Sequence, residues 1–362
     1  MIFISTRTSV FHAIGGMELY IKQILNSLKN EEKIVLLDKY GIYEINLNGE
    51  KKIKKSFFKI SEKNTKFDFM LCIIRTLIFL IRERKNFKNF FFFGHSGMLA
   101  LLFLNEIREF SKVFYLGFEF LILKDLKKNK FNLHYFHYLL SKISCSYASS
   151  IMLIEKSQEA LVLKSFHVNN KKLQVLNNFV SIDKKYSLSN KPNSKSLNFL
   201  SIGRDCISKD REKLIELWPM LHKNLTESNF DINLKIICPN PSKKLINIVN
   251  DLKNLNVEMK TDLSYGQLNK IRAESQYEIS LSIQEIPLLS ILESMYFGVI
   301  PVVNNNHGKF FDDTNSISIH NFRDVANNSD KVKSLRINVK NIAEQRNPEN
   351  FKKDLKKIIN YA

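Results

Sequence analysis

The sequence predicts an α/β protein made of two doubly wound parallel sheets with a cleft between them. Three observations predict it. Short apolar runs alternate with amphipathic stretches, the pattern of strands crossed over by helices. A polar, aperiodic stretch from Lys184 to Lys195, rich in Ser, Asn and Lys, interrupts that alternation, and the alternation then restarts. The chain has 362 residues, enough for two cores. The expected boundaries are a first domain over 1–186, a linker at 187–196, a second domain over 197–337, and a final helical stretch at 338–362.

Each element follows from its own pattern. In the first half, Ile2–Ser5, Lys33–Leu37, Phe90–Phe93, Val113–Leu116 and Ser150–Ile154 are short apolar runs that read as strands. Met17–Leu28, Phe67–Arg82 and Met98–Glu106 carry helical spacing. In the second half, Leu197–Ile202, Asn233–Cys238, Val257–Met259, Tyr277–Leu281 and Val299–Val303 read as strands. Lys209–Leu221, Ser242–Leu252 and Tyr265–Ala273 read as the helices between them. Asn338–Tyr361 has helical spacing with Lys on its outer side, and no repeat of 20 to 50 residues is present.

Composition narrows the function classes. The formal net charge is +19. Such a charge suits nucleic acid or an anionic membrane surface. It also arises from a Lys-, Asn- and Ile-rich composition alone, and by itself speaks only to solubility and nonspecific binding. No aromatic RNA-recognition signature, zinc-finger spacing or isolated basic helix accompanies it, so nucleic acid is not expected as a partner. Residues 51–66 carry seven Lys against one Glu, and Lys124–Lys130 is a second basic stretch. Between them, Phe69–Ile81 is strongly apolar but too short to span hydrocarbon, and Arg75 interrupts it. The favoured reading is a helix packed between two strands; the other is an interfacial helix. The cysteines, Cys72, Cys145, Cys206 and Cys238, show no metal spacing and suit a reducing compartment. Met1-Ile-Phe-Ile-Ser-Thr is too short for a signal peptide and reads as the first strand. A cytoplasmic protein is expected, peripheral to the inner face of the membrane if the basic half meets lipid.

One segment carries chemistry. Glu285-Ile-Pro-Leu-Leu-Ser-Ile-Leu-Glu293 leads into Gly298-Val-Ile-Pro301-Val-Val303. Pro287 suits the first position of a helix, where its missing N–H costs nothing, and Gly298 suits the left-handed residue that ends one. The amides of Leu288, Leu289 and Ser290 then point out of the helix start, where the dipole favours a phosphate. At about 1.5 Å per residue, Glu293 lies roughly 9 Å further along the axis, suited to gripping a ribose. A second group, Gly203-Arg204 followed by Lys209, lies beyond a strand end, where its cations suit a diphosphate or simply a charged turn. Gly15-Gly16-Met17-Glu18 is a turn that lets backbone approach a ligand. His95, in Gly94-His95-Ser96-Gly97, is placed to act as a base, to bind a sugar hydroxyl, or only to open a helix. His12 and His307 are weaker candidates.

Taken in order, these residues resemble the retaining glycosyltransferase family 4 enzymes of the GT-B fold. Glu285 and Glu293 match the family's E-x7-E, and Gly298, Pro301, Val302 and Val303 match its following G-x-P-V-V with two residues rather than one between the glycine and the proline. Ser282 matches the serine before that pair, Gly203, Arg204 and Lys209 the G-R-x4-K, and Gly15, Gly16 and Glu18 the G-G-x-E. Asn178 to Asp183 loosely echoes N-G-V-D. The resemblance implies a retaining, metal-independent transferase that moves a sugar from a nucleotide-sugar, a UDP-sugar favoured, to a lipid-linked glycan, lipopolysaccharide or capsule acceptor. It places the acceptor in the first domain and the donor in the second, with the final helix returning to the first. Glu293 would hold the ribose and Glu285 would stand near the donor sugar. Arg204, Lys209, Leu288 and Leu289 would bind the diphosphate, and the Gly15–Gly16 loop would close over it. Three places depart from the pattern. Ile286 and Pro287 stand where a glycine is usual, Cys238-Pro239-Asn240 replaces a Gly-rich turn, and Gly117-Phe118-Glu119 replaces an active-site His. Either Glu119 or His95 compensates for that His, or the acceptor is held differently. A nucleotide-sugar epimerase and a non-catalytic donor-binding protein of the same fold stay open.

Overall fold

The computed structural model divides into two compact units, Met1–Asn178 with Pro348–Ala362, and Phe179–Asn347. It describes residues 1–6, 10–11, 16–30, 32–46, 49–55, 66–104, 107, 111–116, 133–182, 196–205, 211–281, 289–304 and 310–361.

The first unit runs β1 (Ile2–Thr6), α1 (Gly16–Leu28), β2 (Ile34–Asp38), β3 (Gly41–Asn46), β4 (Gly49–Lys55), α2 (Lys66–Glu83), β5 (Asn89–Phe93), α3 (His95–Met98), β6 (Lys112–Leu116), α4 (Leu133–Tyr147), β7 (Ser150–Leu153), α5 (Glu159–Phe166) and β8 (Leu173–Val175). Its eight strands lie in the order β4-β3-β2-β1-β5-β6-β7-β8. The pairs from β2 through β1 to β8 are parallel, whereas β2–β3 and β3–β4 are antiparallel hairpins. The parallel strands are buried on both faces, so they read as unbroken apolar runs: all five residues of Asn89–Phe93 are buried. The helix expected at Met98–Glu106 instead starts at His95 and tightens into a three-ten turn over Leu99–Phe103. Four of the lysines in the basic run, Lys51, Lys52, Lys54 and Lys55, lie on β4, an edge strand. Charge on an edge strand blunts pairing with other chains.

The second unit runs β9 (Ser196–Ile202), α6 (Arg211–Thr226), β10 (Asp231–Ile237), α7 (Lys243–Asp251), β11 (Val257–Lys260), α8 (Tyr265–Glu274), β12 (Tyr277–Ser280), α9 (Leu289–Tyr296), β13 (Ile300–Val303), β14 (Ile317–Ser318), α10 (Phe322–Ala326) and α11 (Ser329–Gln345). The sheet order is β11-β10-β9-β12-β13-β14, parallel throughout. Its core includes Phe199, Trp218, Ile236, Ile279, Val302 and Phe322, all fully buried or nearly so. Burial contributes about 1.5–3 kcal/mol for each such side chain.

The unit boundaries fall at 178/179 and 347/348 rather than at 186 and 338. The helical stretch expected at 338–361 is two helices. α11 ends at Gln345, and α12 (Pro348–Tyr361) belongs to the first unit, with Pro348 at its first position. There Phe351, Leu355 and Ile358 are buried and Phe351 packs edge-on against Tyr20.

Candidate functional site

In an open parallel sheet a ligand site forms beyond the carboxyl ends of two neighbouring strands whose connections leave in opposite directions. The second unit has that point between β9 and β12. β9 leads outward to β10, and β12 leads the other way to β13. Gly203 and Arg204 follow β9, and residues 281–288 follow β12 and lead into α9. Both segments singled out in the sequence therefore leave the sheet at its switch point.

The turn after β9 is built for stiffness. Gly203 takes φ +146°, a conformation that L side chains rarely adopt. Its amide donates to the Ile237 carbonyl at 3.0 Å, and its own carbonyl accepts from Arg211 Nη2 at 3.0 Å. Arg211 is buried and also donates to the Ser201 hydroxyl. Arg204 is left exposed at the turn. Asp205 accepts from the Ser242 amide at 3.0 Å, and Ser242 in turn caps α7. The Ser242 hydroxyl and then its amide, with Arg211 and Lys244 beside them, hold the Asp205 carboxyl below the usual carboxylate range. A lowered folded pKa means that this tie is present above the unfolded pKa and is lost as pH falls through the folded one. The Ser242 amide is therefore expected to keep its protection against hydrogen exchange at the ordinary aspartate pKa of about 3.9 and to lose it only at lower pH. Protection unchanged to pH 2 would show that the carboxylate does not hold the loop.

α9 ends as the sequence requires. The Val299 amide donates to the Ser294 carbonyl and the Gly298 amide to that of Met295, at 3.1 and 2.8 Å, the two bonds of a Schellman motif. Gly298 supplies the left-handed residue, with φ +66°. Leu289 is the first residue of α9, so its amide belongs to the helix start. Glu293 stands one turn on, with its side chain 15% exposed. Its Oε2 accepts from Arg272 Nη2, and its Oε1 accepts from the Tyr265 hydroxyl at 3.4 Å. Arg272 is 1% exposed and donates through Nη1 to Asn269 at 2.9 Å.

The first unit has its own switch point, between β1 and β5. Gly16 opens α1 there, exposed, and a Cβ at this position would meet nothing within 4 Å. Glu18, the last residue of the same turn, is buried. The chain leaving β1 is pinned at Val10, whose amide donates to Asp38 at 3.1 Å, while Tyr40 and Gly41 donate to the same carboxylate. His95 is the first residue of α3, directly beyond β5; its side chain lies outside the described residues. So do Gly15, Glu119, Lys209, Ser282, Glu285, Leu288, His12 and His307. Among the described residues no cluster of His, Cys, Asp or Glu is arranged to hold a metal ion.

The sequence reading missed Arg211, Arg272, Tyr265 and Asn269. A signal existed for three of them. Tyr265, Asn269 and Arg272 recur at i, i+4 and i+7, one face of a helix, in a stretch where core positions should be apolar.

Compared by sequence, the chain matches no family model and no curated protein. Compared by structure it matches widely. Sucrose-phosphate synthase from Thermosynechococcus elongatus superposes with a TM-score of 0.75 at 10% identity, over 99% of this chain and 98% of that one. WaaG, a glycosyltransferase involved in lipopolysaccharide biosynthesis, gives 0.72 at 12% identity over 99% of both chains. The trehalose-6-phosphate synthase of E. coli bound with UDP-2-fluoro glucose gives 0.64 at 9% identity, over 99% and 98%. The fold is GT-B. Two doubly wound parallel-dominated sheets, as expected from the alternation of elements, are the GT-B units. At these identities the likeness concerns architecture alone and names no substrate.

Proposed function

We propose that the chain is a glycosyltransferase that moves a sugar from a nucleotide-sugar, preferably a UDP-sugar, to a glycan or lipid-linked acceptor, retaining the anomeric configuration without a metal ion. One observation carries the reading: the Arg204 turn and the helix bearing Glu293 leave the same switch point of a GT-B unit. In this proposal Arg204 and Lys209, with the amides of Leu288 and Leu289, receive the charge that develops on the departing diphosphate. Glu293 holds the ribose, and Glu285 stands by the sugar. The C1–O bond to the diphosphate breaks as the acceptor oxygen bonds C1 and gives up its proton. His95 and Glu119 are the candidates to receive that proton on the acceptor side, and the Gly15–Gly16 loop covers the phosphates. The first test is a thermal-shift screen against nucleoside diphosphates and their sugars. A ligand at 100 times its Kd raises stability by about 2.7 kcal/mol. No shift with any of them overturns the reading. Anomeric NMR of the product then decides retention, and activity in excess EDTA decides metal independence.

One face of α2 supports an acceptor at an anionic membrane surface. No helix among the described residues is long and apolar enough to cross a bilayer. Yet Met70, Ile74, Ile78 and Ile81, at i, i+4, i+8 and i+11, are all exposed on this one helix. Arg75, the charge that interrupts the run in sequence, is turned inward: it is buried, donating to the carbonyls of Asp38 and Lys39 at 2.9 and 3.1 Å. The outward stripe is thus unbroken, and exposed Arg82, Lys85 and Lys88 follow it. An apolar stripe beside cations complements an anionic bilayer surface. The protein is expected to float with vesicles containing phosphatidylglycerol, and Ile74→Glu with Ile78→Glu to lower that partition about tenfold or more. Equal retention of the double variant, or self-association through this face in sedimentation, overturns the lipid assignment.

A further inference from the structure

We propose that Arg272 is a positioning residue for nucleotide recognition, fixing the Glu293 carboxylate so that it discriminates ribose from deoxyribose. This rests on the proposed placement of Glu293 at the ribose.

The geometry separates the two roles. Arg272 is 1% exposed and cannot itself reach a ligand, whereas the Glu293 side chain keeps 15% of its surface. The two carboxylate oxygens are held from different sides: Oε2 by the Arg272 guanidinium, Oε1 by the Tyr265 hydroxyl at 3.4 Å. The Tyr265 hydroxyl shares its one proton between Oε1 and the Ser181 carbonyl, also at 3.4 Å, so Arg272 is the main anchor and Tyr265 the weaker one. A carboxylate offers about four acceptor sites, so each oxygen keeps one for an incoming hydroxyl. Arg272 is itself oriented by Asn269, 2.9 Å away and fully buried. All three supports come from one face of α8, while Glu293 comes from α9. A long acidic side chain left to rotate would lose entropy on binding a diol; one already fixed loses little. The arrangement therefore makes sugar recognition a property of a buried cation that never touches the sugar.

The test measures, by calorimetry on the full chain, the affinities for UDP, ADP and GDP and for their 2′-deoxy counterparts. The readout is the ribo-to-deoxy preference of whichever nucleotide binds best. A hydrogen bond to a charged group predicts a preference of about ten- to hundredfold in the native protein. Glu293→Gln is expected to reduce it to within about threefold, Arg272→Met to do nearly the same, and Arg272→Lys to restore part of it, each figure an order of magnitude from the same hydrogen-bond scale. Tyr265→Phe, at an exposed ring that can lose its hydroxyl without disturbing a core, keeps the proposal falsifiable should Arg272→Met fail to fold; it is expected to lower the preference about two- to fivefold. If Glu293→Gln lowers the preference while the folded Arg272 variant and Tyr265→Phe keep it whole, the positioning role is overturned and the ribose reading stands. If Glu293→Gln leaves the preference unchanged, or no nucleotide binds, the ribose reading itself falls.

Discussion

Replacing Trp218 with alanine is expected to destabilise the second unit by about 3–5 kcal/mol. Against a total of about 5–15 kcal/mol for a domain, that removes a large part of its stability. Trp218 is fully buried on α6 and packs edge-on against Phe199 at 5.5 Å between ring centres. Phe199 in turn stacks on Tyr277 and touches Phe322, so one indole closes an aromatic cluster reaching across β9, β12 and α10. Its Nε1–H also donates to the Leu255 carbonyl at 3.0 Å. Alanine leaves a void and an acceptor without its donor. Phenylalanine keeps most of the volume and should cost clearly less. Trp218 is the only tryptophan in the chain, so native fluorescence reports this unit alone, while the variant is followed by circular dichroism in urea. A midpoint shift below about 1 kcal/mol would mean that the aromatic cluster repacks around the loss.

Glu285→Ala is expected to abolish sugar transfer, by at least about 10²–10³-fold, with donor binding kept within severalfold. The expectation comes from its place in the E-x7-E pair and from the switch point out of which that segment leads into α9. Thermal unfolding matching the native protein, with product formation lost, supports it. A fully active variant removes Glu285 from the chemistry.

The parallel strands were legible because burial on both faces leaves continuous apolar runs such as Phe90–Phe93. The β3–β4 hairpin was not. In Gly49–Lys55 Ile53 alone is apolar, because an edge strand has no partner on one side and is better served by lysine than by a core pattern. The helix read as ending at Leu221, two residues past Pro219, continues to Thr226. Burial of Trp218, Leu221 and Leu225 on one side outweighs the local penalty of a proline. In the site, Glu293, Arg204 and Leu289 were legible from spacing. Arg272 was missed although its helical spacing from Tyr265 and Asn269 was visible, because its acidic partner lies 21 positions away on another helix. Arg75 was read only as an interruption of an apolar run. In sequence it breaks an apolar helix, whereas in three dimensions it points at two carbonyls and leaves the outer stripe whole.

The last helix belongs to the first unit, where Phe351, Leu355 and Ile358 are buried and Lys112 Nζ reaches the Ile359 carbonyl at 2.9 Å. On the ribosome, where folding proceeds as the chain emerges, the later-made lobe can therefore finish before the earlier one. The opening lobe must wait, one wall missing, until residues 348–361 have been synthesised.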